Sequence, residues 1–300
     1  MIDRRALVTR TLLACAPYAL LREVRAAALD LPSRLSAQRW IRGHTELARA
    51  LKEGTISQLQ WSTEVGRLAQ SVDVGQLVAE IGRARLAAAG TPFGHDPVKR
   101  FVTFLDESGA SVRLSYGAAL FSFSHDSVIT PHAHKHMGSA HMVVDGKVRI
   151  RTFDRVGDED SALLVRPTAD RVAGTGQAAA MTTAKDNVHW FAARSEKAMT
   201  FDVIVDGLDA GAEHYLIQPL DVLGGREQPD GTIRARLISF EEASRLYPAT
   251  VYTRRRPQLS RFLARVHQFI RAGDSRFGGI ARGQLEGAPG KADVDLLAVP

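Results

Sequence analysis

Four of the ten histidines in this 300-residue chain fall between positions 132 and 141, inside "ITPHAHKHMGSAHMVVDG". Imidazoles crowded this closely repel one another when protonated and need hydrogen-bond partners when neutral. A shared cation resolves both difficulties, because a neutral ring nitrogen is a good ligand for a transition metal. His132 and His134 are one residue apart. On a strand both point to the same face, with Ala133 opposite, so both rings can reach one ion.

The surrounding pattern supplies the strand. From Lys99 onward the chain reads as short β-rich runs: "RFVTFLDESGASVRLSYGAALFSFSHDSVIT", "ALLVRPTADRVAG", "VHWFAA", "AMTFDVIVDG", "HYLIQPLDVL". Many short strands divided by turns predict an antiparallel barrel or sandwich. In "HMVVDGKVRIRTF" the pair Asp145-Gly146 separates two alternating apolar runs and predicts a hairpin. Residues 36 to 89 read as helices instead. In "SAQRWIRGHTELARALKEG", Trp40, Ile41, Leu47, Ala48 and Leu51 recur at helical spacing, and Gly54 closes the segment. "DVGQLVAEIGRARLAAAG" has Asp73 as its N-cap and Gly90 as its stop. The expected organisation is an export signal or first helix over 1–28, a helical extension over 29–95, a β-barrel over 96–240, and C-terminal helices with a loose tail over 241–300.

With these elements in place, the histidine segment resembles the first motif of the cupin superfamily. That motif has two histidines one residue apart, then a glutamate, then a glycine, and here His132, His134 and Gly146 fill their positions. Ser139 stands where the glutamate is usual. The second cupin motif contributes a further histidine, and "AKDNVHWFAA" offers His189, with Asp186 and Ala193 in place of the usual flanking glycine and asparagine. The resemblance implies a mainly β fold, a cupin-type antiparallel barrel or jelly roll, with added helices at both ends.

Cupins that keep three histidines and lack the acid include the thiol dioxygenases. "LFSFSHDSVITPHAHKHMGSAHMVVDGKVRIRTFDR" resembles the branch holding the plant cysteine oxidases and cysteamine dioxygenase. It does so in histidine spacing, in Met137 and in the step to Gly146. The resemblance implies a metal held by His132, His134 and His189, with Fe(II) the expected ion and another divalent transition metal the alternative. Affinity order alone favours copper or zinc. Three neutral ligands leave the full charge on the ion, which favours an anionic thiolate. His141 lies two residues beyond Ser139, so parity turns it inward beside the metal, as a base, a fourth ligand or a packed ring. In thiol dioxygenases a tyrosine near the iron bonds oxygen or substrate, which makes Tyr116 and Tyr215 catalytic candidates. Arg149, Arg151 and Arg166 are candidates for a substrate anion, while His136 is expected at the surface. Trp190 and Phe191 are expected to pack beside the barrel.

Composition excludes several classes. The chain carries 39 Lys and Arg against 33 Asp and Glu, a net charge of +6. Its densest basic run, "YTRRRPQLSRFLARVHQFIRAG", shows no interleaving of exposed aromatics and no nucleic-acid motif, so a basic surface helix is expected and no nucleic-acid partner. No run reaches the ~18 apolar residues that span a membrane. The one cysteine, Cys15, forms no internal disulfide and offers no crosslink to a barrel tyrosine. Arg4 and Arg5 ahead of an apolar stretch resemble a twin-arginine export signal, although Arg10 interrupts the apolar run. Periplasmic and cytoplasmic locations are the alternatives.

The expected function is oxidation of a small-molecule thiol to a sulfinate with O2 as co-substrate. The alternatives are another metallo-cupin reaction, such as ring cleavage or isomerisation, and a non-catalytic cupin that binds a metal or ligand.

Overall fold

The computed structural model describes residues 34–209, 211 and 216–249. The export-signal reading, Cys15, Tyr215 and the basic run after 252 lie outside the described residues.

Helix α1 (Ala37–Lys52) starts at Ser36, whose side chain accepts from the Arg39 N–H, and it buries Trp40, Ile41, Leu47, Ala48 and Leu51. Helix α2 (Gln58–Ser71) opens with a reciprocal capping box between Ser57 and Gln60. Helix α3 (Val74–Arg83) is capped by Asp73, as its sequence predicts. It stops at Arg83 rather than running on to Gly90, because Arg85–Leu86 form strand β1 against β2 (Val98–Thr103). There the unpaired backbone groups of a sheet edge outcompete the helix propensity of an alanine-rich run.

Ten further strands follow: β3 (Gly117–Ser124), β4 (Val128–Lys135), β5 (Gly138–Asp145), β6 (Lys147–Asp158), β7 (Ala162–Gly174), β8 (Ala178–Met181), β9 (Val188–Ala193), β10 (Lys197–Val205), β11 (Leu216–Glu227) and β12 (Ile233–Leu237). A short helix α4 (Phe240–Leu246) comes after them. All pairings between these strands are antiparallel. One sheet has the order β1-β2-β3-β10-β5-β8, and β11-β12-β7-β6-β9-β4 closes into a barrel where β11 meets β4. From β3 to β6 the chain alternates between the two sheets, which is jelly-roll winding. The fold is therefore mainly β, a closed antiparallel barrel of cupin type with helices before and after it.

The Asp145-Gly146 turn is not a hairpin. It passes the chain from β5 in one sheet to β6 in the other. Gly146 has φ +71°, and a Cβ there would collide with the Lys197 carbonyl oxygen, so the glycine serves a close crossing. A two-residue pattern records a tight turn but not which sheet each arm joins.

Three apolar clusters divide the interior. Trp40, Trp61, Leu68 and Leu77 from the helices pack on Leu120, Met142, Phe201 and Val203 from the outer face of the first sheet. Burying each such side chain contributes roughly 1.5–3 kcal/mol, so the helical layer is integral to the barrel. Within it His44 is 2% exposed, and neither ring nitrogen has a hydrogen-bond partner. A second cluster, with Phe123, Val143, Ile150, Met181 and Phe191, lies between the two sheets. The third, with Phe153, Leu163, Trp190 and Tyr247, fills the far side of the second sheet. No helix among the described residues is long and apolar enough to cross a membrane.

Candidate metal centre

Strands β4 and β9 lie side by side, and their register sets His132 directly opposite His189. His134 follows on the same face of β4, while Ala133 and Trp190 face the other way into the third cluster. Alternation thus delivers three imidazoles to one patch of the space between the sheets. Ring centroids are 4.9 Å apart for His132 and His134, 4.2 Å for His132 and His189, and 4.7 Å for His134 and His189. One nitrogen from each ring lies within 4.8 Å of the other two.

The nitrogens face one another in a way that suits a cation. His132 Nδ1 is 2.8 Å from the Thr130 carbonyl oxygen, an acceptor only, so Nδ1 carries the proton and Nε2 presents its lone pair. That Nε2 is 3.0 Å from His134 Nε2. Two nitrogens bound at about 2.1 Å and a right angle to one ion are separated by about 3.0 Å, whereas tetrahedral ligands stand about 3.4 Å apart. At that spacing both nitrogens can reach one ion. His134 Nδ1 and His189 Nδ1 are buried without a hydrogen-bond partner, and an unsatisfied buried group costs roughly 1–3 kcal/mol. The residues present fit a divalent transition metal.

Burial also sets the charge of the rings. Desolvation pulls His132 down to about 4, with the His141 ring pushing the same way and the Thr130 hydrogen bond opposing. His134 and His189 are lowered well below the ordinary imidazole value, chiefly by desolvation and further by the neighbouring rings. All three are neutral at pH 7 and hold their lone pairs ready. Among the described residues no carboxylate joins the group.

The facing wall comes from the other sheet. Ser139, at the position where an acid is usual, points inward and is 2% exposed. Its Oγ is 3.3 Å from His141 Nε2. The His141 ring is 5.5 Å from His189 and 4.8 Å from Phe191, beside the three histidines rather than among them. Its Nδ1 faces Asp202 on β10, which is completely buried. Phe121 on β3 stands 6.4 Å from the His141 ring, and Lys99 on β2 lies above Phe121. The site is thus divided: the three converging histidines belong to one sheet, and Ser139, His141, Asp202 and Lys99 to the other.

Several residues outside the three histidines hold this arrangement. Asn187, fully buried, donates from Nδ2 to the His134 carbonyl at 2.8 Å and to the Thr182 carbonyl at 3.2 Å, tying the start of β9 to β4. Asp186, where a glycine is usual, adopts φ +51°, the left-handed backbone a glycine takes readily. Its N–H donates to Asp154 at 2.8 Å. Asp202 had a signal in the sequence, an acid in the middle of the apolar run "MTFDVIV". Lys99 had none.

Other candidates lie elsewhere. Tyr116 packs in the helical layer, its ring 6.0 Å from His44. Tyr215 lies outside the described residues. His136 has φ +61° between β4 and β5 and faces Asp209 at 3.0 Å, about a third exposed. Trp190 packs on Tyr247, away from the histidines, but Phe191 lies against both His141 and His189. Arg149 and Arg151 both bind Asp170 across β6 and β7, and Arg166 is 3.9 Å from Asp230.

No protein-family model and no curated protein matches the chain. Among solved structures it is similar to procruciferin, the 11S globulin of Brassica napus, at 14% identity and TM-score 0.31, over 46% of this chain and 30% of that one. It is also similar to KdgF from Halomonas sp., at 14% identity and TM-score 0.29, over 40% of this chain and 86% of that one. A third is a Klebsiella pneumoniae protein with a double-stranded β-helix domain, at 15% identity and TM-score 0.28, over 43% of this chain and 84% of that one. The chain thus spans less than a third of the globulin.

Proposed function

We propose that this chain is a metal-dependent oxygenase that converts a small thiol to its sulfinate, with Fe(II) held by His132, His134 and His189. The observation that carries the reading is a ligand set of three neutral imidazoles with an inward-facing serine, Ser139, in the place of an acid. Such a set leaves the ion's charge uncompensated and keeps about half of an octahedron open, which suits an anionic sulfur ligand.

The balance is one thiol plus one O2 giving one sulfinic acid. Both oxygen atoms end on sulfur, which loses four electrons, and no external reductant is needed. A bound Fe(II) would supply the redox chemistry that couples O2 to sulfur. The chain's own residues do the rest. Asp202 holds the His141 ring through Nδ1, so that Nε2 faces the site beside Ser139. In this reading His141 takes the thiol proton. Phe121, Phe191, Ile150 and Met181 wall the space with apolar surface and limit competing water.

The test is metal analysis of the purified protein, followed by oxygen uptake with cysteine, cysteamine and 3-mercaptopropionate on the Fe(II)-loaded form. One O2 consumed per thiol is expected with at least one of them. Tight retention of a thiol without uptake would instead identify a binding protein.

A further inference from the structure

We infer that Lys99 is the anion anchor of this centre, so that the ligand reaching the three histidines carries a carboxylate or similar organic anion. The inference rests on the metal centre proposed above. It adds the chemical class of the ligand and the residue that selects it.

Lys99 comes to the site from a distant part of the chain. Strand β2 pairs with β3 so that Lys99 lies opposite Phe121. Its Nζ stands 5.4 Å from the centre of the Phe121 ring and 4.7 Å from that of Phe101. Phe121 packs edge-on to His141, and His141 packs beside His189. Lys99 is therefore one ring removed from His141 and two from the metal-facing imidazoles. Phe101 is 53% exposed, so the ammonium sits where the apolar wall opens to solvent.

Its charge is left available. Among the described residues the contacts of Lys99 are the two aromatic faces, and it has no ion-pair partner. Ring faces hold a cation without neutralising it. The arginines first considered for this role, Arg149 and Arg151, are bound to Asp170. Burial lowers the Lys99 ammonium from its ordinary value, with the field of Asp202 opposing. A ligand with a metal-binding atom at one end, a short carbon spacer and an anion at the other would satisfy the metal and Lys99 together.

The competing reading is that Lys99 only balances the buried charge of Asp202. The two separate by ligand charge. Co(II)-loaded protein is titrated with 3-mercaptopropionate, an anion, and with cysteamine, a cation, and binding is followed by the cobalt absorption spectrum. In Lys99→Met the dissociation constant for 3-mercaptopropionate should rise at least tenfold, while that for cysteamine holds or falls. Lys99→Arg should keep the wild-type preference. Should Lys99→Met fail to fold, Lys99→Gln carries the same comparison. Equal changes for both probes, or none, overturn the inference. Failure to take up Co(II) overturns the centre and the inference together. Intact charge preference without oxygen uptake leaves the anchor standing and removes thiol oxidation.

Discussion

The carboxylate of Asp202 stands 2.5 Å from Nδ1 of His141, its direct cross-strand partner on β5. A completely buried carboxylate is costly, and a lone imidazole partner offsets that cost only in part. What the pairing secures is orientation. Nδ1 faces the Asp202 carboxylate, and Nε2 is turned toward Ser139.

Asp202→Asn keeps the shape and removes the charge. Turnover should fall roughly 10- to 100-fold, the usual loss for a group that orients a site residue. Metal content per chain should stay at the wild-type level. Elemental analysis and oxygen uptake on the same preparation check both, and a parallel loss of metal would make His141 a ligand.

His132→Ala, His134→Ala and His189→Ala each remove one of the three converging nitrogens. Metal at about a hundred times its dissociation constant stabilises a folded protein by about 2.7 kcal/mol, which raises Tm by several degrees. The wild type should show that rise on adding Fe(II) under anaerobic conditions or Co(II), and the three variants should show little or none. Scanning calorimetry with and without metal decides it. A variant that keeps the full rise does not lack a ligand.

Ser139→Glu returns an acid to the interior face, beside His141. An anionic ligand strengthens metal binding in a site of low dielectric. It also takes an open position and cancels charge that would hold the thiolate, so thiol-dependent oxygen uptake should fall at least tenfold. Unchanged turnover in a variant shown to bind metal through the new carboxylate would overturn the role assigned to the neutral ligand set.

His44 supplies a pH dependence away from the metal. Burial lowers it to about 3, against 6.5 for a free imidazole. Between those values the unfolded chain binds the proton and the folded one does not, so folding stability falls as pH drops below about 6.5 and continues to fall toward about 3. The slope is about 1.4 kcal/mol per pH unit for one such group. His44→Leu should flatten the acid limb by that amount, read from urea unfolding at pH 7, 6 and 5. An unchanged slope would show His44 protonating freely in the folded state.

The shared face of His132 and His134 was legible because its information is local. Alternation alone places His132 and His134 on one face, and parity alone turns Ser139 and His141 inward. The N-cap at Asp73 was equally local. What failed needed knowledge of pairing. Asp145-Gly146 has the composition of a hairpin, yet β5 and β6 belong to different sheets. Arg149 and Arg151 offered free cations to a reader of β6, until β7 brought Asp170 against them. Tyr116 lies just ahead of β3, and its ring went to the helical side. Lys99 was invisible because its place depends on β2 joining β3, and nothing within its own strand marks it.

The division of the site between two sheets separates two properties that most metal centres couple. In the proposed centre, affinity for the ion belongs to β4 and β9, and reactivity to β2, β5 and β10. These walls meet through side chains such as Phe123, Ile150 and Met181, which act as spacers. A change in spacer volume would shift one wall against the other, altering what the ion can do without unseating it. The barrel is built like a vice with the workpiece fixed to one jaw, and new chemistry can be cut into the other jaw alone.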